Sequence, residues 1–142
     1  MNTFVFFELS RLNVLKCSGS PLQRSSVDEI NQADEKMSKW ASSLNVPFAK
    51  IERVQLDSVS RIVEPTRTTC VIYGDGLEGI VTRVALLALS DGLDVVILAD
   101  LCVSDDPENS QIYLNRMTQF GAQISTFHQF SDEAEWLLAQ GS

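Results

Sequence analysis

The stretch Thr69 to Asp100, TCVIYGDGLEGIVTRVALLALSDGLDVVILAD, decides how the rest of the chain is read. Thr69 to Tyr73 is a short β-branched and apolar run, the pattern of a strand buried on both faces. Glycines at 74, 76 and 79 follow it, and from about Ile80 to Ser90 the spacing predicts a helix that Gly92 stops. Asp94 to Ala99 is a second buried-strand run. Strand, helix and strand at these lengths make one βαβ unit, and the right-handed crossover sets its two strands parallel.

Upstream, Thr3 to Leu9 (TFVFFEL) predicts the first strand, and the polar stretch Ser18 to Ser25, with Gly19 and Pro21, a loop. From Ser26 the residues Val27, Ile30, Ala33, Met37, Trp40 and Leu44 recur at three and four, and Ser26 with Glu29 forms an S-x-x-E capping box. Asn45 closes that helix, and Val46 to Val54 predicts a second strand, which Pro47 pushes towards a sheet edge or confines to the strand's own first residues. Gln55 to Thr68 holds one short helical turn around Val59 to Val63 before Pro65. Downstream, Asp106 as N-cap, Pro107 at the first helical position and Glu108 in the first turn predict a helix running to Gly121. Ala122 to Phe127 is the fifth strand, and Ser131, Asp132 and Glu133 open a last helix through Trp136 and Leu137. Trp40 and Trp136 both read as core. The expected architecture is a single α/β domain over residues 1–142: a three-layer, doubly wound, mostly parallel five-stranded sheet with helices on both faces, in an order such as 2-1-3-4-5.

Eleven Lys and Arg against nineteen Asp and Glu leave a net charge of −8. That excess repels phosphate backbones and anionic lipid, so neither nucleic acid nor a membrane surface is expected as a partner. The apolar run Phe4 to Phe7 is cut by Glu8 and Arg11 before it reaches the length of a signal-peptide core. Cys17, Cys70 and Cys102 are odd in number and lack CxxC or His-rich spacing, which suggests reduced thiols in a cytoplasmic protein with no metal. Cys70 reads as a small core residue. Cys102 follows Asp100 at a strand end and reads as a partly buried loop residue, with a reactive thiol in the cleft as the alternative. His128 reads as a capping or surface imidazole.

Gly74-Asp75-Gly76-Leu77-Glu78-Gly79 matches G-x-G-x-x-G between a strand and a helix, with Asp100 ending the next strand. Such a loop can hold a pyrophosphate on a helix N-terminus. Asp75 and Glu78 place negative charge in that loop and argue for glycines that only let a turn fit. Glu8, Asp75, Glu78 and Asp100 all fall at expected carboxyl ends of strands, where ligands of such sheets bind. They could converge on a hard cation. Solvated loop charges, with Asp100 capping neighbouring backbone, are the favoured reading.

The run Ala85-Leu86-Leu87-Ala88-Leu89-Ser90-Asp91-Gly92, the strand Leu93 to Asp100, Ser104, and Gly121-Ala122-Gln123-Ile124-Ser125-Thr126 resemble the carboxyl-terminal half of the isochorismatase-like cysteine hydrolases, the superfamily that includes nicotinamidases. The resemblance implies a nucleophilic cysteine at the helix start, a general-base Asp on the first strand and a catalytic Lys. Counting back twelve from Gly92 puts Ile80 at the nucleophile position, and its hydrocarbon side chain forms no thioester. Glu8 matches the Asp, one methylene longer. The lysine-bearing segment is missing, and Lys50 falls on the second strand.

These readings imply a protein that has lost cysteine-hydrolase chemistry and works by binding or by homo-oligomeric contacts, without a cofactor. A small molecule is a possible ligand, with Gly74, Asp75, Gly76, Glu78, Gly79, Asp100 and Cys102 as binding residues. One alternative is a residual hydrolase in which Glu8 activates water and the Gly76 to Ile80 amides hold the oxyanion. Another is nucleotide binding at the Gly74 to Gly79 loop.

Overall fold

Six of the seven residues of Thr69–Asp75 are buried, because this strand lies at the middle of a five-stranded parallel sheet. The computed structural model describes residues 11–18, 27–51, 59, 63, 68–104 and 106–141. The strands are β1 Leu12–Cys17, β2 Phe48–Ile51, β3 Thr69–Asp75, β4 Asp94–Val103 and β5 Gln123–Ser125, in the order β2-β1-β3-β4-β5. Among the described residues the helices are α1 Val27–Ser43, α2 Thr82–Ser90 and α3 Ser110–Gln119, each between two strands, and α4 Phe127–Gly141, which follows β5. A single π-helical turn, Leu77–Val81, leads into α2. This is the doubly wound, three-layer arrangement read from the sequence, in the expected strand order.

The alternation of side chains along each strand divides the core into two layers. On one face Leu12, Val14, Val71 and Tyr73 meet Met37 and Trp40 of α1 and Phe130 of α4. Trp40 and Phe130 pack ring to ring at 5.0 Å. On the other face Leu15, Cys17, Cys70, Ile72 and Ile97 meet Val84, Ala85 and Ala88 of α2 and Met117 of α3. Each large apolar side chain buried this fully contributes about 1.5–3 kcal/mol.

Several boundaries differ from the sequence reading, among them β4, which runs to Val103 where Ala99 was expected. The first strand among the described residues is Leu12–Cys17; Thr3 to Leu9, including Glu8, lie outside them. A strand with polar residues at 13 and 16 holds this central place because Asn13 is buried on one side and Lys16 finds Asp34 on the other. β2 is shorter than expected and follows Pro47, whose carbonyl accepts from Val14 N at 2.9 Å, and it stands at the end of the strand order among the described residues. The third helix starts at Ser110: Asp106 uses its carboxylate on Asn109 Nδ2 at 2.7 Å, inside a turn over 107–109. The last helix starts at Phe127, before Ser131, because Thr126 Oγ1 accepts Gln129 N at 3.1 Å and Asp100 Oδ1 accepts Phe127 N at 2.9 Å. This early start also shortens the fifth strand.

Trp136 is the remaining correction, at 58% exposed. α4 turns Phe130 and Ala134 inward, and a residue two places beyond Ala134 falls about 200° round the helix, on the solvent side. Of the segment 55–68, Val59 and Val63 are buried, and Val59 N donates to Asp91 Oδ2 at 2.7 Å; most of the rest lies outside the described residues.

Candidate functional site

In a sheet wound in both directions, the crevice for a ligand lies where the winding reverses, here between the carboxyl ends of β1 and β3. Cys17 and Gly74 face each other across that point in register. Gly74 has φ +139°, and a Cβ built on it would lie 2.1 Å from the Cys17 carbonyl oxygen, so the two strands close on each other through the missing side chain. The turn after β3 is held from within: Gly76 N donates to Val103 O at 3.0 Å, while Gly79 N and Val81 N donate to Gly76 O at 3.0 and 3.1 Å. Thr82 Oγ1 donates to Leu77 O at 2.6 Å.

The last of those backbone bonds spans five residues and gives the turn its π-helical width. Two amides that a phosphate or oxyanion would need, Gly76 N and Gly79 N, are thereby committed to carbonyls. Gly79 has open space beyond its Cα, whereas the third glycine of a dinucleotide fingerprint serves close helix–strand packing. The G-x-G-x-x-G pattern is explained here by a strand contact at Gly74 and a left-handed backbone at Gly76, φ 93°. Ile80 is half-buried and packs against the apolar layer that contains Leu77 and Val81.

The predicted carboxylates take separate tasks. Glu78 accepts the Ser104 hydroxyl, and Ser104 Oγ accepts Asp106 N at 3.1 Å, which ties the π-helical turn to the segment after β4. Asp100 fixes the first turn of α4. Asp75 is half-buried at the end of β3. Glu8 precedes β1 in the chain, so it is not the residue that ends this strand. Among the described residues no three of His, Cys, Asp and Glu gather to hold a metal ion.

β4 loops out of the ladder between Leu98 and Cys102: Ile72 pairs with Ile97, yet Gly74 pairs with Cys102. Two residues on β3 therefore span five on β4, and the surplus re-aims the strand end as bulges do. A cleft of about 180 Å³ lies between these residues and α1, lined by Glu29, Gln32, Lys36, Asp100 and Cys102 among others. Asp100 and Cys102 thus share a cleft, and the Gly74 to Gly79 residues do not line it. Lys36 Nζ lies 5.6 Å from the centre of the Phe127 ring, at cation–π distance.

The thiols are chemically quiet. Burial pushes Cys102 up to about 12, with smaller upward contributions from Asp100 and Glu78 set against a backbone hydrogen bond at Gly74, and its Sγ donates to Leu98 O at 3.3 Å. Burial likewise raises Cys70 to about 12 and drives Cys17 upward, with Cys102 adding to the latter. Cys70 is a core residue as read from the sequence. His128 is exposed, with Nε2 3.1 Å from Asp132 Oδ2 one turn on, the surface placement expected of it.

Sequence reading missed one polar cluster. Lys16 of β1 lies beside Tyr73 of β3, and both reach Asp34 of α1: the Lys16 ammonium donates to Oδ2, and the Tyr73 hydroxyl donates to Oδ1 at 2.8 Å. Burial first, and then the Asp34 hydrogen bond, raise the Tyr73 pKa, so this phenol stays protonated. The available signal was a lysine inside a mainly apolar strand run, which a buried parallel strand accepts only with a counter-charge.

The solved structures that match this chain include isochorismatase-like and related hydrolases, and the chain has their α/β fold, a doubly wound parallel sheet with helices on both faces. The chain is similar to YcaC from Escherichia coli, an octameric hydrolase of unknown specificity, with 18% identity and TM-score 0.70 over 90% of this chain and 81% of that one. YcaC from Pseudomonas aeruginosa gives 18% identity and TM-score 0.71 over 91% and 82%. An isochorismatase-like hydrolase from Alkaliphilus metalliredigens gives 15% and 0.64 over 83% and 96%. No family model and no curated protein matches the sequence.

Proposed function

We propose that this chain is a non-hydrolytic protein built on the isochorismatase-like fold, one that acts through ligand binding and self-association. The observation that carries this reading is Ile80. It stands where the resemblance puts the nucleophilic cysteine, and it is half-buried against apolar neighbours. Neither Cys17 nor Cys102 replaces it, because burial keeps both protonated at neutral pH and a thiol attacks as its thiolate. The residual-hydrolase alternative rests on Glu8, which lies outside the described residues.

A small ligand fits the cleft between α1 and β4, where Lys36, Glu29 and Asp100 offer both signs of charge. Self-association is supported by the exposed apolar side chains of Ile112, Phe120 and Trp136 and by the octameric state of the E. coli YcaC neighbour. Three free cysteines fit a reducing compartment. No helix among the described residues is long and apolar enough to cross a membrane.

Purified protein is to be assayed on amide, imide and vinyl-ether substrates of these hydrolases. The expected result is no turnover above buffer. Enzyme-like rates in the parent protein overturn the reading.

A further inference from the structure

β4 leaves the ladder between Leu98 and Cys102, and where a strand does so its backbone groups lose the partners that regular register supplies. The Cys102 thiol takes up two of the groups at this gap. Its S–H donates to Leu98 O at 3.3 Å, and its sulfur accepts the Gly74 N–H from β3. The first bond reaches back four residues and closes the looped-out segment on itself; the second ties the closed loop to the neighbouring strand. We propose that Cys102 is the positioning residue of the cleft between α1 and β4, its thiol replacing the missing ladder contact and holding Asp100 and Leu101 in place as part of the cleft wall. The inference rests on the reading of this cleft as the ligand site and names the residue that shapes it.

The chemistry of the position is narrow. It needs one atom that both donates and accepts, on a side chain short enough to stay between two strands, a requirement met by Cys and Ser and, with an added methyl, by Thr. Burial pushes the thiol up to about 12, so the S–H donor persists at neutral pH.

The residues inside the loop are fixed in opposite directions. Leu101 turns into the apolar layer beside α1, while Asp100 faces outward and its Oδ1 accepts Phe127 N at 2.9 Å. These side chains fix the middle of the loop, and the thiol fixes its two ends to each other. Asp100, Leu101, Cys102 and Val103 form the β4 side of the cleft, opposite Glu29, Gln32 and Lys36 of α1. Cys102 thus sets how far the Asp100 side stands from the helix.

Hydrogen exchange followed by NMR tests this on the parent, Cys102→Ser, Cys102→Ala, Cys102→Val and Cys70→Ala. The amides read are those of Gly74, Phe127 and, as the core reference, Ile72. Cys102→Ala removes both bonds, and exchange at Gly74 and Phe127 is expected to rise about tenfold relative to Ile72. Cys102→Val, which fills the space without a donor or acceptor, is expected to repeat this pattern. Cys102→Ser keeps both bonds and is expected to stay within about threefold of the parent at both amides. Cys70→Ala deletes a buried thiol from the same sheet and is expected to raise all three amides together. Parent-like protection of Gly74 and Phe127 in Cys102→Ala or Cys102→Val, a selective rise in Cys70→Ala, or a rise in Cys102→Ser equal to that of Cys102→Ala overturns the proposal. If the alanine and valine variants do not fold, Cys102→Ser decides alone: parent-like protection at both amides sustains the proposal, and its loss overturns it. None of these readouts needs a ligand. A cleft that binds nothing therefore removes the ligand reading and leaves the thiol's role, and hydrolytic turnover by the parent removes the non-hydrolytic reading alone.

Discussion

Replacing Gly74 by alanine tests the closure of the sheet at the place where its winding reverses. The new Cβ would stand 2.1 Å from the Cys17 carbonyl oxygen and within 3 Å of the Cys17 nitrogen and carbonyl carbon, all of them backbone atoms of β1. Carbon–oxygen contacts normally sit at about 3.3–3.6 Å, so β1 must move by more than about 1 Å at a paired position. Overpacking of this kind costs about 1–3 kcal/mol. Holding an L-residue at φ +139° adds about 1–3 kcal/mol. The sum, about 4 kcal/mol, is a large fraction of the 5–15 kcal/mol typical of a domain, and at about 2–4 °C per kcal/mol it lowers Tm by about 8–16 °C. Gly79→Ala is the control within the same glycine pattern: nothing lies within 4 Å of its Cβ, so it melts at or slightly above the parent. Thermal and urea unfolding of the three proteins, with equal m-values, read the effect. A Gly74→Ala protein melting within about 3 °C of the parent would refute the β1–β3 contact described here.

Alkaline pH is expected to destabilise the protein through its thiols. In the unfolded chain Cys70 and Cys102 ionise near 9.0, and in the fold near 12, so between those values the unfolded state holds fewer protons and stability falls as pH rises. The slope is about 1.4 kcal/mol per pH unit for each thiol, and Cys17 shifts in the same direction; a urea midpoint level from about pH 8 to 11 refutes this. Asp34→Ala removes the partner of Lys16 and Tyr73 and is expected to cost about 3 kcal/mol in urea unfolding, whereas Lys16→Met with Asp34→Leu recovers most of it. Asp100→Ala frees Phe127 N and costs about 1 kcal/mol, seen as faster hydrogen exchange confined to the first turn of α4.

The βαβ unit was legible because its signals are local: an apolar run, a glycine turn and a helical spacing ended by Gly92 sit next to one another in the chain. β1 was not, since TFVFFEL outscores LNVLKC on every intrinsic strand preference. What secures LNVLKC is the Lys16 ammonium meeting a carboxylate eighteen residues away, a partner that no periodicity reveals. The start of α4 was missed for the same reason, as the acceptor for Phe127 N is Asp100, twenty-seven residues earlier. Within the candidate site, Ile80 was singled out by the family resemblance and Asp100 and Cys102 by their place at a strand end, and the structure sets the latter two on one cleft. The division of the remaining glycines and carboxylates between a structural turn and a separate cleft depended on which carbonyls the amides reach, and sequence does not carry that information.

The residues looped out of β4 act as slack in the strand. An inserted or deleted residue in a regular strand turns every later side chain to the opposite face. Here the irregularity ends before Cys102, where the strand is back beside Gly74, and one residue later the Val103 carbonyl holds Gly76. Changes between Leu98 and Cys102 are absorbed where they arise. The exposed wall of the small cleft can thus change in length and side chain while the core beneath it, which includes Leu101, keeps its register.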